Sequence, residues 1–247
     1  MPHVLDALEQ SHTPQAIRKR LAQGPASNYL RDWIYGGIDG TVTTFAIVSG
    51  VVGAELSTAV VLILGFANLL ADGFAMAASN YSGTKAERDN YDRILNIERK
   101  HIALVPEGES EEIRQIFAAK GFAGGDLDRI VGVITSNPSL WAKTMAVEEY
   151  GLSQTVRSPV IAALSTFSAF ILCGLVPLVT YLSEHGLAFC IAGTGATFFT
   201  VGAIKSQWSM TAWWRSGIEI LVIGMSAAAL AFAVGSGLRS LVNLPVG

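Results

Sequence analysis

Charge is scarce in this 247-residue sequence, and basic charge is missing from its long apolar stretches altogether. Charged residues make up 15% of the chain against 51% hydrophobic residues, and the mean hydropathy is +0.42. That balance indicates a membrane protein. No basic patch stands out, so nucleic acid is not an expected partner. The two cysteines, Cys173 and Cys190, both fall inside apolar stretches, which argues against a structural disulfide and indicates no redox compartment. Proline is absent between Leu56 and Pro106, so nothing there forces a helix to break. The start MPHVLDALEQ lacks a basic region followed by an apolar one, so it does not read as a signal peptide. Internal repeats and low-complexity segments are missing too.

Five stretches reach or approach the length that crosses a bilayer: Trp33–Ala54, Leu56–Tyr81, Pro159–Leu182, Leu187–Ile204 and Ile220–Leu238. The first has 22 residues, and a helix of that length covers about 33 Å. Lys and Arg set the expected orientation. The N-terminal segment carries Arg18, Lys19, Arg20 and Arg31, and the Gly83–Arg157 connection carries ten bases. Lys205 and Arg215 bracket the fourth connection, whereas the turns at Glu55 and Ser183–Gly186 have no base. The N-terminus, the central connection and the fourth-to-fifth connection are therefore expected on the cytoplasmic side of a cell (inner) membrane, and the C-terminus outside. Trp33, Trp208, Trp213 and Trp214 fall near the expected cytoplasmic interfaces.

The expected fold is an all-α membrane protein of five transmembrane helices with a helical module between the second and third. Its expected divisions are an N-terminal cytoplasmic segment (1–30), helices one and two (31–82), the module (83–156) and helices three to five (157–247). The first module helix should continue span two without a break as far as Pro106. A second is expected from about Glu109 to Lys120 with Gly121 beyond its end, and a third from about Asp126 to Thr135. Asn137–Pro138 reads as a cap followed by proline at the first helical position, opening a helix through Leu152.

Only Asp39 and Asp72 are charged within the five stretches. An acid at spanning depth costs roughly 2.5–3.5 kcal/mol and usually marks an ion or proton path. On span two, Asn68, Asp72, Met76 and Asn80 recur every four residues, which keeps them near one helical face. Asp32, Asp39 and Thr43 share a face of span one, and two such faces opposed would line a polar path. Interhelical hydrogen bonding is the alternative use, above all for Asn68, Asp72 and Asn80. Asp39 resists that alternative because no base in the spans can balance it. A thioether such as Met76 more often packs than ligates; beside Asp39, it shifts a site toward transition metals.

The module carries a second set. Glu98 and His101 form a Glu-x-x-His pair, the spacing found in di-iron carboxylate bundles. Glu109 and Glu112 repeat that spacing, and Met145 and Glu149 stand four apart. Each pair alone could be a solvated helix face; three pairs in one short module suit Fe²⁺, Mn²⁺, Co²⁺ or Zn²⁺. Gly36 and Gly40 form a GxxxG on span one that could seat a second copy of the chain.

The stretches GGIDGTVTTFAIVSGVVGA, GFANLLADGFAMAASNY, VPEGESEEI and TMAVEEYGL resemble the vacuolar iron transporter family, and the likeness extends from Arg31 over nearly the whole chain. The resemblance implies a dimer built around span one and proton-coupled export of Fe²⁺, and also Mn²⁺, from the cytosol. It implies translocation residues at Asp39 and Met76, an entrance acid at Asp32, and metal ligands at Glu98, Glu109, Glu112, Met145 and Glu149. His101 stands where the family usually has glutamate, Ala146 where a second methionine can occur, and Asn68 where some members have glutamate. The expected protein is thus a metal–proton antiporter, not an enzyme, with no permanently bound cofactor; its partners are divalent ions, protons and the bilayer. A manganese exporter of the same architecture is the alternative within the class. A membrane-anchored di-iron oxidase would need a second Glu-x-x-His, which the chain lacks, and a metal sensor or store would have no use for Asp39.

Overall fold

The computed structural model describes residues 12–23, 27–153, 155, 157–183 and 186–242; His185 lies outside them. All regular structure among these residues is helical. The helices are α1 (Pro14–Gln23), α2 (Leu30–Gly53), α3 (Thr58–Leu104), α4 (Pro106–Ala119), α5 (Gly124–Thr135), α6 (Pro138–Glu148), α7 (Pro159–Tyr181), α8 (Gly186–Lys205) and α9 (Trp213–Val242), with a 3₁₀ turn at Ser206–Trp208. Five of them are long and apolar enough to cross a membrane: α2, α3, α7, α8 extended by the 3₁₀ turn, and α9. This is a multi-pass membrane protein. The chain divides into two compact units, one of residues 29–84 and 158–247 and the other of residues 1–28 and 85–157.

In the first unit, Phe45, Val48 and Val51 of α2 meet Val61 and Leu69 of α3, Phe170 and Leu178 of α7, Cys190 and Phe198 of α8, and Ile220 and Ala228 of α9 in one buried cluster. Helix α2 is the most enclosed: 56% of its most apolar window is buried, against 22% for α3 and for α9. Glycine allows that enclosure. A Cβ on Gly36 would collide with the Thr166 carbonyl, and one on Gly40 with the Phe170 carbonyl. Farther along, α9 makes a backbone approach of the same kind, Gly235 against Gly50. The GxxxG expected to seat a second copy is therefore occupied by α7 of the same chain. Close backbone packing, the property that suggested a dimer seam, is used here within one molecule.

The second unit is built on local rules. With no proline to interrupt it, α3 runs 47 residues, and Gly83 does not break it. Pro106 takes the first position of α4, so that helix starts three residues before Glu109. At its other end Gly121 adopts φ +97°, the Gly121 and Phe122 amides bond back to Ala118 and Phe117, and the Phe117 and Phe122 rings pack 5.9 Å apart. The Asn137 side chain accepts from the Ser139 and Leu140 amides at 3.0 and 3.1 Å, capping α6 ahead of Pro138. Helix α6 stops at Glu148 instead of Leu152, because Gly151 turns the chain at φ +64°. Ile113, Leu127, Val131, Ile134, Trp141 and Met145 form the core of this unit, and Ile94, Leu95, Ala142 and Ala146 form a second cluster.

Candidate metal sites

In the unit of residues 85–157, α3 ends with a Val105 amide bond to the His101 carbonyl, and Pro106 starts α4 at once. That short reversal brings Glu109 back to the last turn of α3. One ligand atom from each of Glu98, His101 and Glu109 lies within 4.8 Å of the others. His101 Nδ1 is 3.2 Å from Glu109 Oε1 and 4.0 Å from Glu98 Oε1. Glu98 is 1% exposed and Glu109 6%. The second oxygen of each, Oε2, is buried without a hydrogen-bond partner. Buried carboxylate oxygens without donors are costly, and a cation or a proton is the remedy.

The electrostatics agree. Burial, then the charges of Glu112 and Glu98, push Glu109 up to about 7; the His101 charge opposes this, and a hydrogen bond with Glu98 adds to the rise. Glu149 is raised by burial and by Glu98 and Glu112, against a hydrogen bond from Tyr150. Glu112 and Glu149 therefore lie within electrostatic reach of the pair, and both are solvent-exposed. Met145 is fully buried in the apolar core with Ile113 and Trp141. Sequence spacing did not single out Tyr150, whose hydroxyl donates to Glu98 Oε1 at 3.1 Å. Burial and the two neighbouring carboxylates push that phenol up to about 12, so it stays a donor.

In the unit of membrane-spanning helices, the polar faces of α2 and α3 meet. The Asn68 amide donates to Thr43 Oγ1 at 3.2 Å, and Thr43 donates to the Asp39 carbonyl at 2.9 Å. The Asn80 amide lies 2.9 Å from Asp32 Oδ1, 2.7 Å from Thr166 Oγ1 and 3.2 Å from the Ala162 carbonyl, which joins α2, α3 and α7. Asp32 is 4% exposed in this knot. Between the two bridges Asp39 and Asp72 are half-buried and within electrostatic reach of one another. Among the described residues no basic side chain pairs with either. Met76 is half-buried against the apolar cluster.

The arrangement offers oxygen, imidazole and thioether donors, a set that suits divalent transition ions better than calcium. Residues 30–236 match the model of the VIT family. Over 232 residues the chain is 32% identical to a vacuolar iron transporter of Toxoplasma gondii, covering 88% of this chain and 77% of the relative. It is 32% identical over 214 residues to vacuolar iron transporter 1 of Arabidopsis thaliana, covering 85% and 86%. Vacuolar iron transporter 2 of Oryza sativa is 29% identical over 221 residues, covering 87% and 90%. With a match across almost all of the membrane-spanning helices and the residues between them, the chain belongs to the VIT family.

Proposed function

We propose that this protein is an iron transporter that moves Fe²⁺ out of the cytosol in exchange for protons. The observation that carries the reading is the Asp39–Asp72 pair, half-buried at spanning depth with no base among the described residues to balance it. Metal and proton compete for the same carboxylate oxygens, so one site can carry either load. Relatives bearing the name vacuolar iron transporter support iron as the cargo. Loading a vacuole and exporting across a cell membrane both remove metal from the cytosol. The concentration of Lys and Arg in the N-terminal segment and in residues 83–157 supports a cytoplasmic placement of both.

On this reading the cluster of Glu98, His101, Glu109, Glu112 and Glu149 gathers metal on the cytoplasmic side, and Asp39 and Met76 carry it across. A dimer along α2 completes the path. Tyr35, Asp39, Val42, Thr43 and Ala46 form the less buried strip of α2, and a second copy seated there would remove Asp39 from lipid. Mn²⁺ is the second reading. It is favoured by the oxygen and imidazole donors of the Glu98–His101–Glu109 trio and by the seating of Met145 in the apolar core.

Proteoliposomes with a pH reporter inside test the proposal. Asp39→Ala should fold, as judged by its helical content and elution volume, yet lose both Fe²⁺ uptake and the accompanying proton flux. Undiminished exchange by that variant, or wild-type metal movement without any proton signal, would sink it.

A further inference from the structure

Glu98 holds its two oxygens in different states. Oε1 accepts the Tyr150 hydroxyl at 3.1 Å, whereas Oε2 is buried and bare. Glu109 is divided in the same way, with His101 Nδ1 3.2 Å from Oε1 and no partner at Oε2. Each buried carboxylate thus has one oxygen, Oε2, that no donor reaches, while its Oε1 faces His101. Tyr150 lies two residues beyond α6 and its hydroxyl also engages Glu149, so it links a buried carboxylate and an exposed one. Its ring is 39% exposed, and removing the hydroxyl therefore opens no cavity in the core.

We propose that Tyr150 tunes the metal selectivity of this cluster by disfavouring coordination of Glu98 through both oxygens. The inference rests on the reading of the cluster as metal-gathering. Calcium takes about six to eight oxygen ligands and commonly draws both oxygens of a carboxylate. A phenol bonded to Oε1 takes up one of its lone pairs and fixes the carboxylate's orientation, so binding a large ion through both oxygens is disfavoured. A smaller transition ion accepts single oxygens together with the His101 imidazole, so the hydrogen bond penalises calcium more. Tyr150 is a positioning residue in this scheme, because it acts through Glu98.

The test titrates the full chain in detergent, stripped of metal, with Mn²⁺ and separately with Ca²⁺ by calorimetry. An Asp39→Ala background removes the central acid of the proposed path from the measurement. Tyr150→Phe should narrow the preference for Mn²⁺ over Ca²⁺ by about tenfold or more, the usual scale for a residue that orients a metal ligand. A merely structural role would weaken both ions alike, and an unchanged ratio overturns the inference alone. Wild-type protein that binds neither ion overturns both it and the metal-gathering reading. Should Tyr150→Phe fail to fold, the infrared difference between metal-free and Mn²⁺-loaded wild type decides: the wide carboxylate splitting of one-oxygen binding is expected, and its absence refutes the proposal.

Discussion

Glu109 gives the sharpest energetic prediction. Its carboxyl moves from an ordinary 4.5 to about 7 on folding, chiefly through burial and then through Glu112 and Glu98. A carboxyl raised in the folded state binds its proton more tightly there than in the unfolded chain. The stabilisation is therefore complete below about 4.5, fades as pH rises, and is lost above about 7. At 1.36 kcal/mol per pH unit, the interval corresponds to roughly 3 kcal/mol. Metal-free protein should lose that much stability in this unit between pH 4.5 and 7.5, and Glu109→Gln, neutral at every pH, should remove most of the slope and leave the part that the raised Glu149 contributes. Trp141, 5% exposed in the unit's core, reports the transition once Trp33, Trp208, Trp213 and Trp214 are replaced by Phe. Urea titrations at several pH values then give the stability curve. Adding Mn²⁺ should flatten it, since a cation replaces the proton. A wild-type curve that rises over this range, or an equal slope in Glu109→Gln, would refute the reasoning.

Two further predictions concern the membrane-spanning helices. Asn80→Ala removes the amide that meets buried Asp32 and Thr166, and should lower stability by about 1–3 kcal/mol, read as a fall in melting temperature in detergent. Asn68→Ala, which loses one half-buried contact to Thr43, should fall less. Gly40→Ala drives a Cβ into the Phe170 carbonyl and should cost about 1–3 kcal/mol, whereas Gly237→Ala has nothing within 4 Å to meet. Equal melting temperatures for the two alanine variants would mean that α2 and α7 are not tightly joined.

What could be read in advance was governed by range. The Asn137–Pro138 start of α6 and the Gly121 end of α4 are decided within a few residues, and spacing alone exposes them. The length of α3 follows from missing proline in the same way. Where a local signal was passed over, the boundary moved: Pro106 opens a helix as well as closing one, and Gly151 ends α6 early. The Glu98–His101 and Glu109 positions were legible as candidates because i, i+3 spacing puts charge on one face. Their convergence depends on the reversal at Val105, which periodicity does not encode. Contacts made across long stretches of chain were invisible. Asn80 reaches Thr166 over 86 residues, and Tyr150 reaches Glu98 over 52. The glycine stripe misled for the same reason: a GxxxG states that a backbone will come close, not whose backbone.

The two units present one electrostatic problem. Glu98 and Glu109 are buried at close quarters, and so long as no cation arrives their repulsion is relieved by a proton, as the rise of Glu109 requires. Among the described residues Asp39 and Asp72 have no base either, and lipid supplies no water to dilute their charge. On the proposed reading, a divalent ion and a pair of protons are electrically equivalent loads for such a pair, each leaving the site neutral. A single acid would keep a net positive charge on the metal and none on the proton form, so only one of the two crossings would be inexpensive. Two acids make both directions of the cycle feasible in a low-dielectric path. The absence of a counter-base in the spans is then what allows exchange, because a resident lysine or arginine would neutralise one carboxylate permanently and bind neither cargo.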